Sequence, residues 1–246
     1  MNKEIIYFAS DFHLGMPNIK ESHKREKIII NWLNKIETNA KAIYLVGDIF
    51  DFWFEYRKVV PKGFVRLLGK LATLSDNGIE IHLFVGNHDL WMHDYLTKEI
   101  GIKIHHKATI LKEQGKKIFI GHGDGLGEGD YFYKFLRKIF TSKICKWAFA
   151  RLHPNLAISI AHAWSNSSRK NYQNPFTDKE EDILFNYCKK QQKINPVDYY
   201  IFGHRHIPLE LKINDQAKYI NLGDWITHNT YATLKKGVLK LEKYNK

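Results

Sequence analysis

Five short apolar runs in this 246-residue chain end in aspartate, asparagine or histidine. Residues 5–10 run into Asp11-Phe12-His13, and 42–46 into Gly47-Asp48, with Asp51 close behind. Residues 81–85 run into Gly86-Asn87-His88-Asp89, 117–120 into Gly121-His122-Gly123-Asp124, and 199–202 into Gly203-His204-Arg205-His206. Carboxylate, carboxamide oxygen and imidazole suit divalent ions such as Mn, Fe and Zn. No thiolate is in the set, which argues against a structural zinc or an iron–sulfur site. Asp48 has two oxygens and could span two adjacent ions. Asp11, His13 and His206 would complete the shell of one ion, and Asn87, His122 and His204 that of the other. A spacing of two, as in Asp11/His13 and His204/His206, puts both side chains on one side of an extended segment. A two-ion centre lowers the pKa of a water and clamps a phosphoryl oxygen, so the chemistry indicated is phosphoester or phosphoanhydride hydrolysis. Any single histidine could be structural, and His82, His105 and His106 are read that way. As a set, so many polar groups at the ends of apolar strands would be costly if buried and unpaired.

To bring these residues together, the runs must be strands that end at one edge. Short β-branched and aromatic runs stopped by glycine read as buried strands. Open α/β sheets place ligands at the C-terminal ends of such strands, and glycines 47, 86, 121 and 203 allow tight turns there. Helical spacing is expected over 21–37, 61–74, 90–100 and 180–191. Residues 104–112 and 116–120 read as a hairpin about Gln114-Gly115, and 209–213, 218–222 and 230–244 as closing antiparallel strands. Trp53 and Phe54 are assigned to the core, and Tyr56 and Arg57 to a substrate groove.

The net charge is +12, which favours anionic partners. Cys145 and Cys188 lack motif spacing, so a reducing compartment is expected. The chain enters a strand almost at once, with no signal-peptide pattern, and no apolar run is long enough to span a bilayer. A soluble or surface-bound protein is therefore expected. A glycine-rich loop follows His122. Residues 131–177 then carry eight Lys or Arg and no Asp or Glu, with aromatics interleaved. This segment reads as an inserted helical hairpin over the site, its helices separated at Pro154 and Asn155. It could be a helix pair with a solvated basic face, a single-stranded nucleic-acid surface, or a lipid-binding cap. The excess of long apolar side chains favours the cap.

The motifs D-x-H, G-D-x-x-D, G-N-H-D, G-H and G-H-x-H, in that order from Asp11 to His206, resemble the calcineurin-like metallophosphoesterase superfamily. The resemblance implies an α+β, four-layer α/β/β/α sandwich formed by residues 1–246 as a single domain, with 131–177 as an inserted helical cap. It also implies that His88 acts as general acid or charge stabiliser and that Asp51 holds His88 in the useful tautomer. The glycine-rich loop, the basic insert and the run after Asp48 are similar to the UDP-2,3-diacylglucosamine hydrolases of lipid A biosynthesis. That likeness implies two divalent ions, Mn2+ foremost with Fe or Zn as alternatives, and a lipid-linked nucleotide cleaved by hydroxide attack on its α-phosphorus. It implies substrate contacts at Asp130, Tyr133, Asn166, Arg169 and Lys170. It further implies a peripheral enzyme on the cytoplasmic face of the inner membrane, with no obligate protein partner and with nucleic acid disfavoured. The chain departs from that pattern at His88, where Arg is usual, and at Gly127, Arg205 and Ile207. A nucleic-acid or cyclic-nucleotide phosphodiesterase and a metal-free interaction scaffold are the alternatives.

Overall fold

A computed structural model describes residues 3–129, 131–171 and 182–245, without the side chains of 162, 164 and 166–171. Eleven strands in two sheets are seen among the described residues. The first sheet has the order β11-β10-β1-β2-β3-β4. In it β1 (Ile5–Ala9), β2 (Ala40–Val46), β3 (Glu80–Phe84) and β4 (Lys103–His105) are parallel, and β10 (Thr230–Lys235) and β11 (Val238–Lys243) close one edge antiparallel. The second has the order β5-β6-β7-β9-β8. Its β6 (Lys116–Ile120), β7 (Tyr199–Phe202) and β9 (Lys218–Leu222) are parallel, flanked by antiparallel β5 (Thr109–Glu113) and β8 (Pro208–Lys212).

The period-2 alternation of the strands divides the core into three layers. On β1, Ile6 and Phe8 face the second sheet, joining Tyr44 and Val46 of β2, Ile118 and Ile120 of β6, and Ile220 of β9. Tyr7 and Ala9 face the other way, onto Ile29, Trp32 and Leu33 of α1 (Ile19–Ile36) and Leu67, Leu71 and Leu74 of α2 (Val65–Asp76). The outer face of the second sheet, with Tyr200, Phe202 and Tyr219, packs on Leu184, Phe185 and Cys188 of α7 (Ile183–Ile194). The result is the expected α/β/β/α sandwich, with the site loops at the C-terminal ends of β1, β2, β3, β6 and β7.

Helix α1 starts where Asn18 caps it, its carboxamide oxygen accepting the Glu21 N–H at 3.0 Å. Helix α3 (Tyr95–Ile100) is shorter than the 90–100 pattern, because 90–94 is held by the loop after β3. Trp53 and Phe54 are core residues, as expected. Residues 104–112 do not form one strand. The chain leaves the first sheet after His105 and enters the second at Thr109, so 106–108 form a crossover between layers. No glycine or proline in 104–112 marks the change of sheet.

Between β6 and α7 lie three helices where a hairpin was expected: α4 (Tyr131–Thr141), α5 (Lys143–Phe149) and α6 (Pro154–Asn171). The additional break comes at Ser142, whose hydroxyl accepts the Cys145 N–H and caps α5. Pro154 opens α6, the position where a missing N–H costs least. The segment rests on the loops after β2, β3 and β6. Phe149 packs on Phe52, Phe54 and Trp91, and the Trp91 indole N–H donates to the Phe140 carbonyl at 2.7 Å. Its other side is open: Tyr131, Phe132, Phe135, Ile144 and Trp147 are exposed.

Truncating Phe8 at the centre of the inner layer should cost about 3–5 kcal/mol of stability in urea unfolding. Phe132→Ser, on the open side of α4, should stay within about 0.5 kcal/mol.

Candidate metal centre

Each of the two aspartates that begin the site is fixed in the same way. Asp11 and Asp48 follow β1 and β2 with positive φ, 55° and 52°. The left-handed region turns each carboxylate back over the strand end and is strained for a non-glycine residue. The backbone N–H of His88 donates to Asp48 Oδ1 at 2.9 Å, and that of His204 to Asp11 Oδ2 at 3.0 Å. A glycine stands two residues before His88 and one before His204. A Cβ on Gly86 would collide with the Asp48 carboxylate, and one on Gly203 with that of Asp11.

The remaining oxygens point to a common centre. Asp11 Oδ1 lies 3.3 Å from His206 Nε2 and 3.7 Å from His13 Nε2, and those two nitrogens face each other at 3.1 Å. Asn87 Oδ1 lies 3.2 Å from His122 Nε2 and 3.0 Å from His204 Nδ1. Asp48 Oδ2 stands between the two groups, 3.2 Å from His122 Nε2 and 3.6 Å from His13 Nε2. The structure thus brings together all seven residues put forward as ligands. Asp51 and His88 lie alongside. The His88 Nδ1 is 3.0 Å from the Asp51 carbonyl, 3.2 Å from Ser165 Oγ and 3.7 Å from Asp51 Oδ1. The nearest orienting oxygen is therefore the Asp51 backbone, while the Asp51 carboxylate lies equally near His13 Nδ1, at 3.6 Å.

The charge balance of this cluster calls for a cation. Asp11, Asp48 and Asp51 are all buried. Burial alone would push the His206 imidazole down, but Asp11 and Asp224 outweigh it and hold it up at about 10. Against the same burial, Asp48 and Asp11 hold His122 well above its usual value, and Asp11 and Asp51 raise His13. His204 goes the other way, pushed by burial and then by His122 down to about 4. Burial would raise Asp48, yet His122, His88 and His13 keep it well below the carboxylate range. Without a metal, protons on the imidazoles balance the carboxylates. Asp11 Oδ1 is buried with no hydrogen-bond donor. Oxygen and nitrogen donors converging around buried carboxylates fit divalent ions, which would take the place of those protons.

Of the five substrate-contact positions expected, Tyr133 is described. Its hydroxyl donates to Asp124 Oδ2 at 2.7 Å. Asp130 and the side chains of Asn166, Arg169 and Lys170 lie outside the described residues. Tyr56 packs edge-to-face on Phe54, ring centroids 4.6 Å apart. Arg205 turns away from the centre to Asp182 Oδ2, 3.1 Å distant, at the N-cap of α7.

Sequence reasoning gave no role to four residues that frame the site. Asp89 accepts the N–H groups of Gly86 (2.6 Å) and Ile49 (2.9 Å), tying two loops together. It is the last residue of G-N-H-D, a signal that was present and unused. Asp224 lies 3.5 Å from His206 Nδ1 and accepts the N–H groups of Thr227 and His228. Asp124 anchors α4 through Tyr133 and Arg137. Ser165 reaches His88 from α6. Nothing local in the sequence marks Asp224 or Ser165.

A calcineurin-like phosphoesterase family model matches residues 5–208. The chain belongs to that family, and it is a metal-dependent hydrolase of phosphoester or phosphoric-anhydride bonds. It is 39% identical over 252 residues to a UDP-2,3-diacylglucosamine hydrolase of Porphyromonas gingivalis, covering 96% of each chain. To a UDP-2,3-diacylglucosamine hydrolase of Vibrio parahaemolyticus it is 28% identical, again covering 96% of each. A solved archaeal phosphodiesterase aligns over 98% of this chain and 99% of its own at 14% identity, with a TM-score of 0.49, too slight a likeness to carry an argument.

Metal ligation requires neutral imidazole, so loading must expel protons from His13, His122 and His206. Calorimetric titration with Mn2+ in two buffers of different ionisation enthalpy should register net proton release near neutral pH. Affinity should keep tightening as the pH rises through neutrality toward about 10, where His206 gives up its competing proton. Uptake with no proton release would contradict ligation by these imidazoles. Gly86→Ala should displace Asp48 and weaken uptake by at least about tenfold, in the range seen when residues supporting metal ligands are lost.

Proposed function

We propose that the chain hydrolyses the pyrophosphate of UDP-2,3-diacylglucosamine to UMP and 2,3-diacylglucosamine 1-phosphate. The observation that carries this reading is the likeness, over nearly the whole length of both chains, to a hydrolase named for that substrate. Two features of the structure support it: the seven converging donors, and the aromatic, cationic helices resting on the loops around them. Asp11, His13, Asp48 and His206 would hold one divalent ion, and Asp48, Asn87, His122 and His204 the other. Manganese is the ion we put forward, with Fe or Zn suited to the same donors. Bound there, the ions would supply Lewis-acid charge and a water of lowered pKa.

The chain's own residues set the rest. If His88 Nδ1–H donates to the Asp51 carbonyl, Nε2 is left as the atom that exchanges a proton or meets phosphoryl charge. Burial pushes this imidazole down, against the pull of Asp48. A phosphate leaving group has a second pKa of about 6, so it can depart without being protonated. A general acid is therefore not required, and His88 would meet phosphoryl charge only as the imidazolium, with Nε2–H donating. Asp130, Tyr133, Asn166, Arg169 and Lys170 are proposed to contact substrate, and residues 131–177 to act as a cap that takes up the acyl chains. Among the described residues no helix is long and apolar enough to cross a membrane. The open aromatic side of α4 and α5, flanked by lysines, suits peripheral attachment to an anionic lipid surface, which we place at the cytoplasmic face of the inner membrane.

Manganese-loaded protein in detergent micelles with UDP-2,3-diacylglucosamine should release UMP and the lipid monophosphate. No release, with a generic aryl phosphodiester still cleaved, would refute the substrate and leave the metal centre standing. Asp48→Asn should lower kcat by about a thousandfold or more while leaving thermal unfolding within a few degrees. A fully active, metal-replete Asp48→Asn protein would refute the ligand assignment.

A further inference from the structure

Helix α4 is amphipathic in an unusual sense. Its aromatics Tyr131, Phe132 and Phe135 are exposed, while half-buried Lys134 and Arg137, with solvent-exposed Lys138 at the rim, line a cavity of about 260 Å3 against Gly125 of the loop after β6. Thr141, one turn on, completes the wall. The spacing of three and four places these side chains on one helical face. A structural role would require carboxylates opposite them, and one is present. Asp124 takes Arg137 Nε at 2.7 Å together with the Tyr133 hydroxyl. Lys134 donates to the Gly127 carbonyl, a neutral partner, at 2.5 Å. Lys138 makes no ion pair among the described residues. Glu128 of the loop after β6, paired with Lys190, acts on Lys134 through space, and with Asp124 it leaves this face of α4 net positive.

The cavity does not stand alone. Gly125 and Arg137 also line a second cavity of about 190 Å3, whose floor includes His122 of the metal centre. The two adjoin at Arg137, so a cationic cleft runs from His122 to Lys138 and Thr141. A group entering it is within reach of the phosphorus under attack and meets Lys and Arg donors. Those donors suit a phosphate dianion.

Building on the proposed reaction, we infer that this cationic face of α4, Lys134, Arg137, Lys138 and Thr141, is the site for the phosphomonoester that leaves on hydrolysis, the sugar 1-phosphate. Water oxygen bonds to the α-phosphorus, the anhydride P–O bond breaks, and the bridging oxygen departs with the sugar phosphate. The charge that develops there is met by Lys138 and Arg137. The nucleoside monophosphate stays on the His122 side.

The test uses the metal-loaded full chain turning over bis(4-nitrophenyl) phosphate, with glucosamine 1-phosphate and UMP as separate inhibitors. Both should inhibit the wild type. Lys138→Glu should raise the inhibition constant of glucosamine 1-phosphate by about tenfold or more and that of UMP by less than about twofold, as expected for reversing one charge at a phosphate contact. Lys138→Gln should shift it less, in the same sense. Lys20→Glu, the same charge change on α1, should shift neither. An effect on UMP alone, or on neither inhibitor, would overturn the assignment. So would weaker binding to phosphatidylglycerol vesicles with both inhibition constants unchanged, which would assign the cations to the membrane surface. Because the assay substrate is generic, a protein that failed to cleave UDP-2,3-diacylglucosamine yet gave the Lys138 result would retain the phosphate site and lose only the substrate.

Discussion

Two buried carboxylates, Asp11 and Asp48, organise this molecule. Each ends a parallel strand in left-handed backbone, and each is held by an amide N–H from a loop at the end of another strand. Those two hydrogen bonds stitch the loops after β1 and β7 and the loops after β2 and β3. A buried, partly desolvated carboxylate is tolerable only with donors and counter-charge around it. The imidazoles of His13, His122 and His206 supply that counter-charge as protons when no metal does so. The strain at five site residues with positive φ, Asp11, His13, Asp48, His204 and His206, is local and is supported by a core that is packed on both faces of each sheet.

The same constraint explains the surroundings. Asp89, whose carboxyl is pushed by burial and by Asp48 up to about 7, spends its oxygens on backbone N–H groups and so locks the loop after β3 to the loop after β2. Asp224, on the turn after β9, steadies His206 from behind. These supports hold the donors in place before any ion arrives, so little reorganisation is needed on binding.

Above the centre, α4–α6 contribute a second kind of surface. The helices touch the body through Phe149, Trp91 and the Asp124 contacts, and otherwise turn aromatic rings outward. For an ordinary globular protein, cations would face solvent and aromatics the core. On α4 the outward aromatics suit an apolar phase, and Lys134 and Arg137 beside the glycine-rich loop suit phosphate. One helix would then serve both ends of an amphipathic substrate.

Local chemistry made the strand-and-loop pattern legible. β-branched runs closed by Gly-Asp, Gly-Asn-His or Gly-His identify strands and the polar residues at their ends, and the order of the motifs identified the family and the sandwich. Trp53 and Phe54 could be placed in the core from their size and apolar character alone. What the tertiary structure decided depends on contacts between residues far apart in the chain. The break of 104–112 into strands of different sheets falls at residues 106–108, which hold no glycine or proline to mark a turn. Ser165 against His88, Asp224 against His206 and Asp124 against Arg137 pair residues whose individual types are ordinary. Helical periodicity revealed that α4 has two faces, but only its seating on the glycine-rich loop determined that Lys134 and Arg137 meet Gly127 and Asp124. A sequence fixes which faces a helix has; the packing of distant segments decides which of them meets the protein.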